Sequence, residues 1–203
     1  MIKDMIEYGH ADLVQDRLGL NLVVGQKVAA IITFSAAIEH HLERALWTLR
    51  QMNPAGTRPD TDNKNITDLI GMLEHFAAGL EAGDVRNMIE TWCKAARSGF
   101  VIRNNIVHGT PGCIDGVLLY MRNGRWGDII RKREFGDFWA HEDTLDLVRQ
   151  AMAVLMRIIL QLTKEDVAPA KVATPEAMKA LRTARSVLGE FADQYYNPSY
   201  EKY

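Results

Sequence analysis

Cysteine is nearly absent: Cys93 and Cys113 are the only two in 203 residues. They form no Cys-x-x-Cys pair and have no ligand pair beside them. That excludes a disulfide framework and a zinc site readable from sequence, and it suits a reducing compartment. Proline is also sparse, with six residues, so long stretches are free to be helical. No apolar run approaches the roughly twenty residues a membrane-spanning helix needs; the longest weakly polar run is Val28 to Ile38. The opening Met1-Ile2-Lys3-Asp4-Met5-Ile6-Glu7 carries acidic residues where a signal peptide has its apolar core. The expectation is a soluble, cytoplasmic protein with no membrane contact. Neither sign of charge dominates, the formal net charge being −2. A uniformly basic, histone-like surface is excluded, while a local basic patch is not. The P-loop, the dinucleotide fingerprint, His-Glu-x-x-His and Gly-x-Ser-x-Gly are all missing, so no cofactor or metal is expected.

What is present is an ordinary globular composition, 47% hydrophobic and 25% charged, long enough to bury a core without staples. Helical periodicity covers most of it. A first helix is expected from Ile2 to about Leu18, and a second from Gln26 to Met52, where Val28, Ile31, Ile32, Ile38, Leu42, Leu46 and Leu49 recur at three and four. Pro54 and Pro59 then mark a loop to about Lys64. Asn65 or Thr67 can cap a helix from Ile66 to Leu80, and Asp84 can cap the next, which Gly109 ends as the C′ residue and Gly99 can bend. Glu142 to about Leu162 forms another strong stripe. Glu165 to Thr174 reads as extended, and Thr174-Pro175 opens a final helix to about Tyr195.

Between Gly109 and Glu142 the pattern changes. Thr110-Pro111-Gly112 reads as a turn cluster, Val117 to Met121 as a strand, Asn123-Gly124 as a hairpin turn, and Trp126 to Phe135 as the second strand. The expected fold is therefore a mainly α, up-and-down bundle of about five to six helices with a β-hairpin insert. The domain reading is a helical block over 1–163, with the hairpin at 113–135, followed by a linker, a C-terminal helix and a tail over 164–203. That last helix is free to pack against a second subunit.

Most polar clusters have plain explanations. Glu7 and His10 form a Glu-x-x-His without the second pair a di-iron bundle needs, so they belong to a solvated face. His40 and His41 are adjacent on a helix and point about 100° apart, which prevents easy sharing of a metal. Arg122, Arg125, Arg131, Lys132 and Arg133 concentrate positive charge near the hairpin. They serve either as strand-edge protection or as a phosphate-tracking, nucleic-acid-binding patch, with Tyr120 and Trp126 available for stacking.

Arg103-Asn104-Asn105-Ile106-Val107-His108-Gly109 is the most informative segment. At 100° per residue Arg103 returns to the angle of Val85, in the centre of an apolar stripe. A lone buried arginine costs several kcal/mol (order of magnitude) unless paired, so Arg103 should face a wet cleft, an interface or a carboxylate. His108 lies about 140° away on a regular helix, and the helix end can bring its ring round. Asn104 can orient that ring. The plain alternative is an ion-pair and helix-end role for both.

This Arg-Asn-x-x-x-His run, with an aliphatic pair before the histidine and glycine after it, resembles the Arg-x4–6-His motif of the HEPN superfamily (higher eukaryote and prokaryote nucleotide-binding domains). The resemblance covers about residues 26 to 163. It implies a helical bundle, a homodimer whose two motifs face one another across a cleft, and a metal-independent ribonuclease of toxin–antitoxin or antiviral defence systems. Arg103 would hold the scissile phosphate, His108 would act as acid and base, and Asn104 would orient one of them. RNA is the implied substrate, and an antitoxin or effector protein a possible partner. The alternative is a non-catalytic dimeric module that binds a protein or nucleotide. Thr110 stands where a toxin subgroup has the tyrosine of His-x-Tyr, so the likeness does not extend to that subgroup.

Overall fold

The computed structural model describes residues 2–122 and 137–193. In chain order the elements are α1 (Ile2–Gly9), α2 (Ala11–Arg17), α3 (Leu22–Leu49), α4 (Ile66–Ala78), α5 (Asp84–His108), β1 (Thr110–Ile114), β2 (Val117–Met121), β3 (Phe138–Trp139), α6 (Glu142–Leu162), α7 (Pro169–Val172) and α8 (Pro175–Phe191). The protein is mainly helical, with one small sheet among the described residues.

The helix starts follow side-chain chemistry. Asn21, Asn65 and Thr174 each accept a hydrogen bond from a backbone N–H three residues on, satisfying a donor the helix cannot use. Asp84 is the first residue of α5 rather than its cap, which is Gly83. The single amino-terminal helix expected over 2–18 is two: His10 adopts a left-handed backbone, φ 43°, and breaks it. The 165–174 stretch is not wholly extended, because Pro169 opens the short turn α7.

α3, α5, α6 and α8 share one core. Ile31, Ile38, Leu42 and Leu46 of α3 meet α6. Trp92 and Ala96 of α5, Leu155 and Ile159 of α6, and Leu181 and Leu188 of α8 fill the middle, with α4 against α5 through Leu69, Ile70 and Leu73. α8 thus packs on α5 and α6 of its own chain rather than being left for a second subunit. α3 is long and apolar enough to cross a membrane by length and composition. Here its apolar stripe lies in the core, and its second half carries Glu39, Glu43 and Arg44.

Direction follows from contacts. Lys27 Nζ donates to the Glu142 carbonyl at 3.1 Å, and Thr48 Oγ1 to the Thr163 carbonyl at 3.2 Å, so α3 and α6 run parallel. Trp92 Nε1 donates to the Leu155 carbonyl at 2.9 Å. An added Cβ at Gly99 would be 2.7 Å from Met152 Sδ of α6. α5 is therefore antiparallel to α6. The carboxyl end of α5 lies beside the amino ends of α3 and α6, at what is called below the motif end. Gly99 leaves room for the Met152 side chain within an unbroken α5.

The sheet corrects the hairpin reading. Thr110-Pro111-Gly112 is not a turn but part of β1, which pairs antiparallel with β2, Pro111 opposite Tyr120 and Ile114 opposite Val117. The turn is Asp115-Gly116, both at positive φ, 51° and 79°, the conformation a two-residue hairpin needs. Pro111 is tolerated because β1 is an edge in the order β1-β2-β3. β3 pairs with β2 through Leu119–Trp139 and Tyr120–Phe138. The expected Asn123-Gly124 turn and the strand over 126–135 lie outside the described residues.

Candidate functional site

The last two turns of α5 carry the Arg-Asn-Asn-Ile-Val-His run. α5 stays helical through His108, and Gly109 caps it in an extended conformation, φ −76° and ψ 154°. Gly109 is therefore not the left-handed C′ residue expected. Glycine is needed for space: a Cβ would sit 2.4 Å from the Asn105 carbonyl oxygen and 3.0 Å from Tyr120 Cβ. Because the helix is regular to its end, Arg103 and His108 project about 140° apart, and the helix end does not bring the imidazole round. No hydrogen bond joins them among the described residues.

Arg103 is half-buried on the core-facing side. Its Nη1 donates to Asn104 Oδ1 at 2.9 Å, while its Nε is buried without a hydrogen-bond partner. Among the described residues it has no carboxylate partner. A guanidinium that has shed part of its water, yet has no anion beside it, is electrostatically poised to accept one. Asn104 thus engages Arg103 rather than His108. His108 is exposed.

Residues beyond those read from the sequence complete this end. Asn105 is buried, 3% exposed. Although it lies on the opposite side of α5 from Arg103, the sheet covers it there, and its Oδ1 accepts from Arg122 Nη1 at 3.3 Å. Arg122 also places its backbone N–H on Asp137 Oδ1 at 2.8 Å. One residue of the basic run is thereby turned inward onto α5. Arg125, Arg131, Lys132 and Arg133 lie outside the described residues. His141, just before α6, stacks on Trp139 at 6.2 Å between ring centroids and has a buried, unbonded Nε2. No signal in the sequence marked Asn105 for burial. His141 had none beyond its place before a helix. Burial pushes the Tyr120 phenol above its usual range, so it serves as a packing group beside Gly109.

The other candidates separate from this end. His40 and His41 meet edge-on at 5.1 Å, and burial, then the His40 and Arg44 charges, hold His41 below the ordinary imidazole value. Glu43 accepts from Thr61 Oγ1 at 2.8 Å, and Thr61 Oγ1 accepts from Trp47 Nε1 at 2.9 Å; this chain pins the 53–64 loop. Glu7 and His10 are exposed. Among the described residues no group of three or more His, Cys, Asp or Glu is placed to hold a metal. Two grooves, of about 450 and 490 Å³, lie at the far end of the bundle, around Arg157 and Thr174 and around Trp47 and Lys164, away from Arg103.

Comparison of the chain with protein-family models, with curated proteins and with solved structures finds no match.

Proposed function

We propose that this is a metal-independent endoribonuclease of HEPN type, a homodimer whose two motif ends form one cleft. The observation that carries the reading is Arg103: half-buried, with an unbonded buried Nε and no carboxylate beside it among the described residues. That is the state in which a guanidinium binds a phosphodiester bidentately. His108, exposed at the end of the same helix, supplies proton transfer. Because the two side chains diverge by about 140° on one helix, the working pair is Arg103 of one copy and His108 of the other. The imidazole takes the 2′-hydroxyl proton, and the 2′-oxygen attacks phosphorus. Arg103 stabilises the charge that develops on the phosphoryl oxygens. The bond to the 5′-oxygen breaks and that oxygen takes a proton from water. The products are a 2′,3′-cyclic phosphate and a 5′-hydroxyl.

The divergence of Arg103 and His108 also favours the second reading, a non-catalytic helical module that uses the Arg103 recess to bind a partner. Incubating the pure protein with mixed RNA in excess EDTA, from mildly acidic to mildly basic pH, separates the two. Cyclic-phosphate ends that form in chelator support cleavage. Intact RNA throughout that range favours the binding module.

A further inference from the structure

Among the described residues, the arm made by α1 and α2 has no extensive packing partner. Every side chain from Lys3 to Arg17 is exposed, and Met5, Ile6 and Tyr8 are 70%, 68% and 93% exposed. α1 is nonetheless amphipathic: Met5 and Ile6 fall on one face, with Lys3, Asp4 and Glu7 on the other. Helices of 8 and 7 residues are shorter than the roughly 12–15 at which an isolated helix becomes even marginal in water. Packing from outside the arm must therefore stabilise them.

The remaining large exposed apolar side chains gather at the place the arm leaves. Leu22, Val23, Val101, Val107, Ile114 and Leu147 all lie at the motif end; of the described set only Leu160 lies elsewhere. Scattered single exposures are ordinary; here, beyond the arm, all but one of the described set fall at one end. The arm's root is fixed there too. Gly19, at φ +70°, sits so close to the hairpin that a Cβ would be 3.1 Å from Cys113 Sγ and 3.3 Å from the Leu118 nitrogen. Charge narrows the choice of surface. The arm holds Asp4, Glu7, Asp12 and Asp16 against Lys3 and Arg17, which disfavours an anionic membrane.

We infer that the arm of one copy docks across the motif end of a second copy, and reciprocally, its apolar face covering the exposed side chains there. The donor and acceptor surfaces are both present on one chain, as a two-fold interface requires. The choice of end rests on the proposed two-copy cleft; the docking itself needs no RNA chemistry.

The test is light scattering on the full chain and on Ile6→Asp/Leu13→Asp at micromolar concentration, with a thermal melt of each. The wild type should scatter at twice 22.9 kDa. The variant should scatter as a monomer with an unchanged melt of its bundle, because neither side chain is buried in its own chain. If that variant loses its cooperative melt, Ile6→Gln/Leu13→Gln is read in its place. A monomeric wild type, a variant that stays dimeric, or a monomer that pellets with phosphatidylglycerol vesicles overturns the inference. A wild-type dimer that leaves RNA intact, and that the arm substitutions dissociate, upholds the arm and removes the cleavage reading. A dimer indifferent to them that cleaves RNA does the reverse.

Discussion

At the scale of single residues, small differences in environment decide large differences in behaviour. Cys93 is buried beneath α4, and burial drives its thiol well above the usual range, leaving negligible reactive thiolate. Cys113 on β1 is exposed. A thiol reagent should therefore label one equivalent in the native protein, at Cys113, and the second only after unfolding; rapid native labelling of Cys93 would contradict the packing. Gly109 is the sharper case. Gly→Ala ordinarily gains about 0.4–1 kcal/mol by restricting the unfolded chain. Here the methyl would meet a backbone carbonyl at 2.4 Å, and overpacking costs about 1–3 kcal/mol, so the clash wins. Gly109→Ala should destabilise by about 2 kcal/mol, read as a lower midpoint in urea. An unchanged midpoint would mean that α5 ends differently. Arg103 was legible in the sequence, because an arginine at the centre of an apolar stripe breaks a pattern. Asn105 was not, since its burial comes from a sheet edge folding over the far side of the helix, which no helical wheel contains.

At the scale of elements, the long helices could be read from the chain because each buries one continuous stripe. α3 through α6 begin and end within a few residues of expectation, with Asn65 and Thr174 capping as their chemistry directs. The errors came from backbone rather than from hydrophobicity. His10 splits a segment whose apolar pattern continues across it. The hairpin turn is Asp115-Gly116, itself a strong turn dipeptide, yet Thr110-Pro111-Gly112 read as a turn and hid the strand that precedes it. Between elements, Arg97 binds Glu74 through Nε at 2.9 Å and Nη2 at 2.6 Å, tying α5 to α4. The hydrogen bonds from Arg97, and then its charge, hold the Glu74 carboxyl below its ordinary value. A depressed folded-state value means that the pair stabilises the protein above the unfolded glutamate range and loses this contribution as pH falls through the folded value. Both side chains are over a third exposed, so the effect is about 0.5 kcal/mol. Glu74→Gln should accordingly lower stability by about that amount at neutral pH, and the difference from wild type should vanish in acid. A difference that grows with acidity would reverse the sign and contradict the pairing.

At the scale of the whole molecule, the candidate functional features converge on one end of the bundle. The α5 carboxyl terminus, the sheet, the amino ends of α3 and α6 and the root of the amino-terminal arm meet there, while the two grooves open at the other end. The mainly helical class and the segment bearing Arg103 and His108 could be read before the structure. Their divergence on one helix could not be known until α5 proved regular to its last residue, and it is this divergence that makes a second copy necessary to the proposed chemistry. Arg103→Ala and His108→Ala should each lose RNA cleavage by on the order of a hundredfold, with melts like that of the wild type. The decisive measurement mixes the two variants. In a mixed dimer one composite site keeps both an intact Arg103 and an intact His108, so equal parts of the two inactive proteins should recover about a quarter of wild-type cleavage in EDTA. A mixture no more active than either variant alone would contradict a site shared between copies.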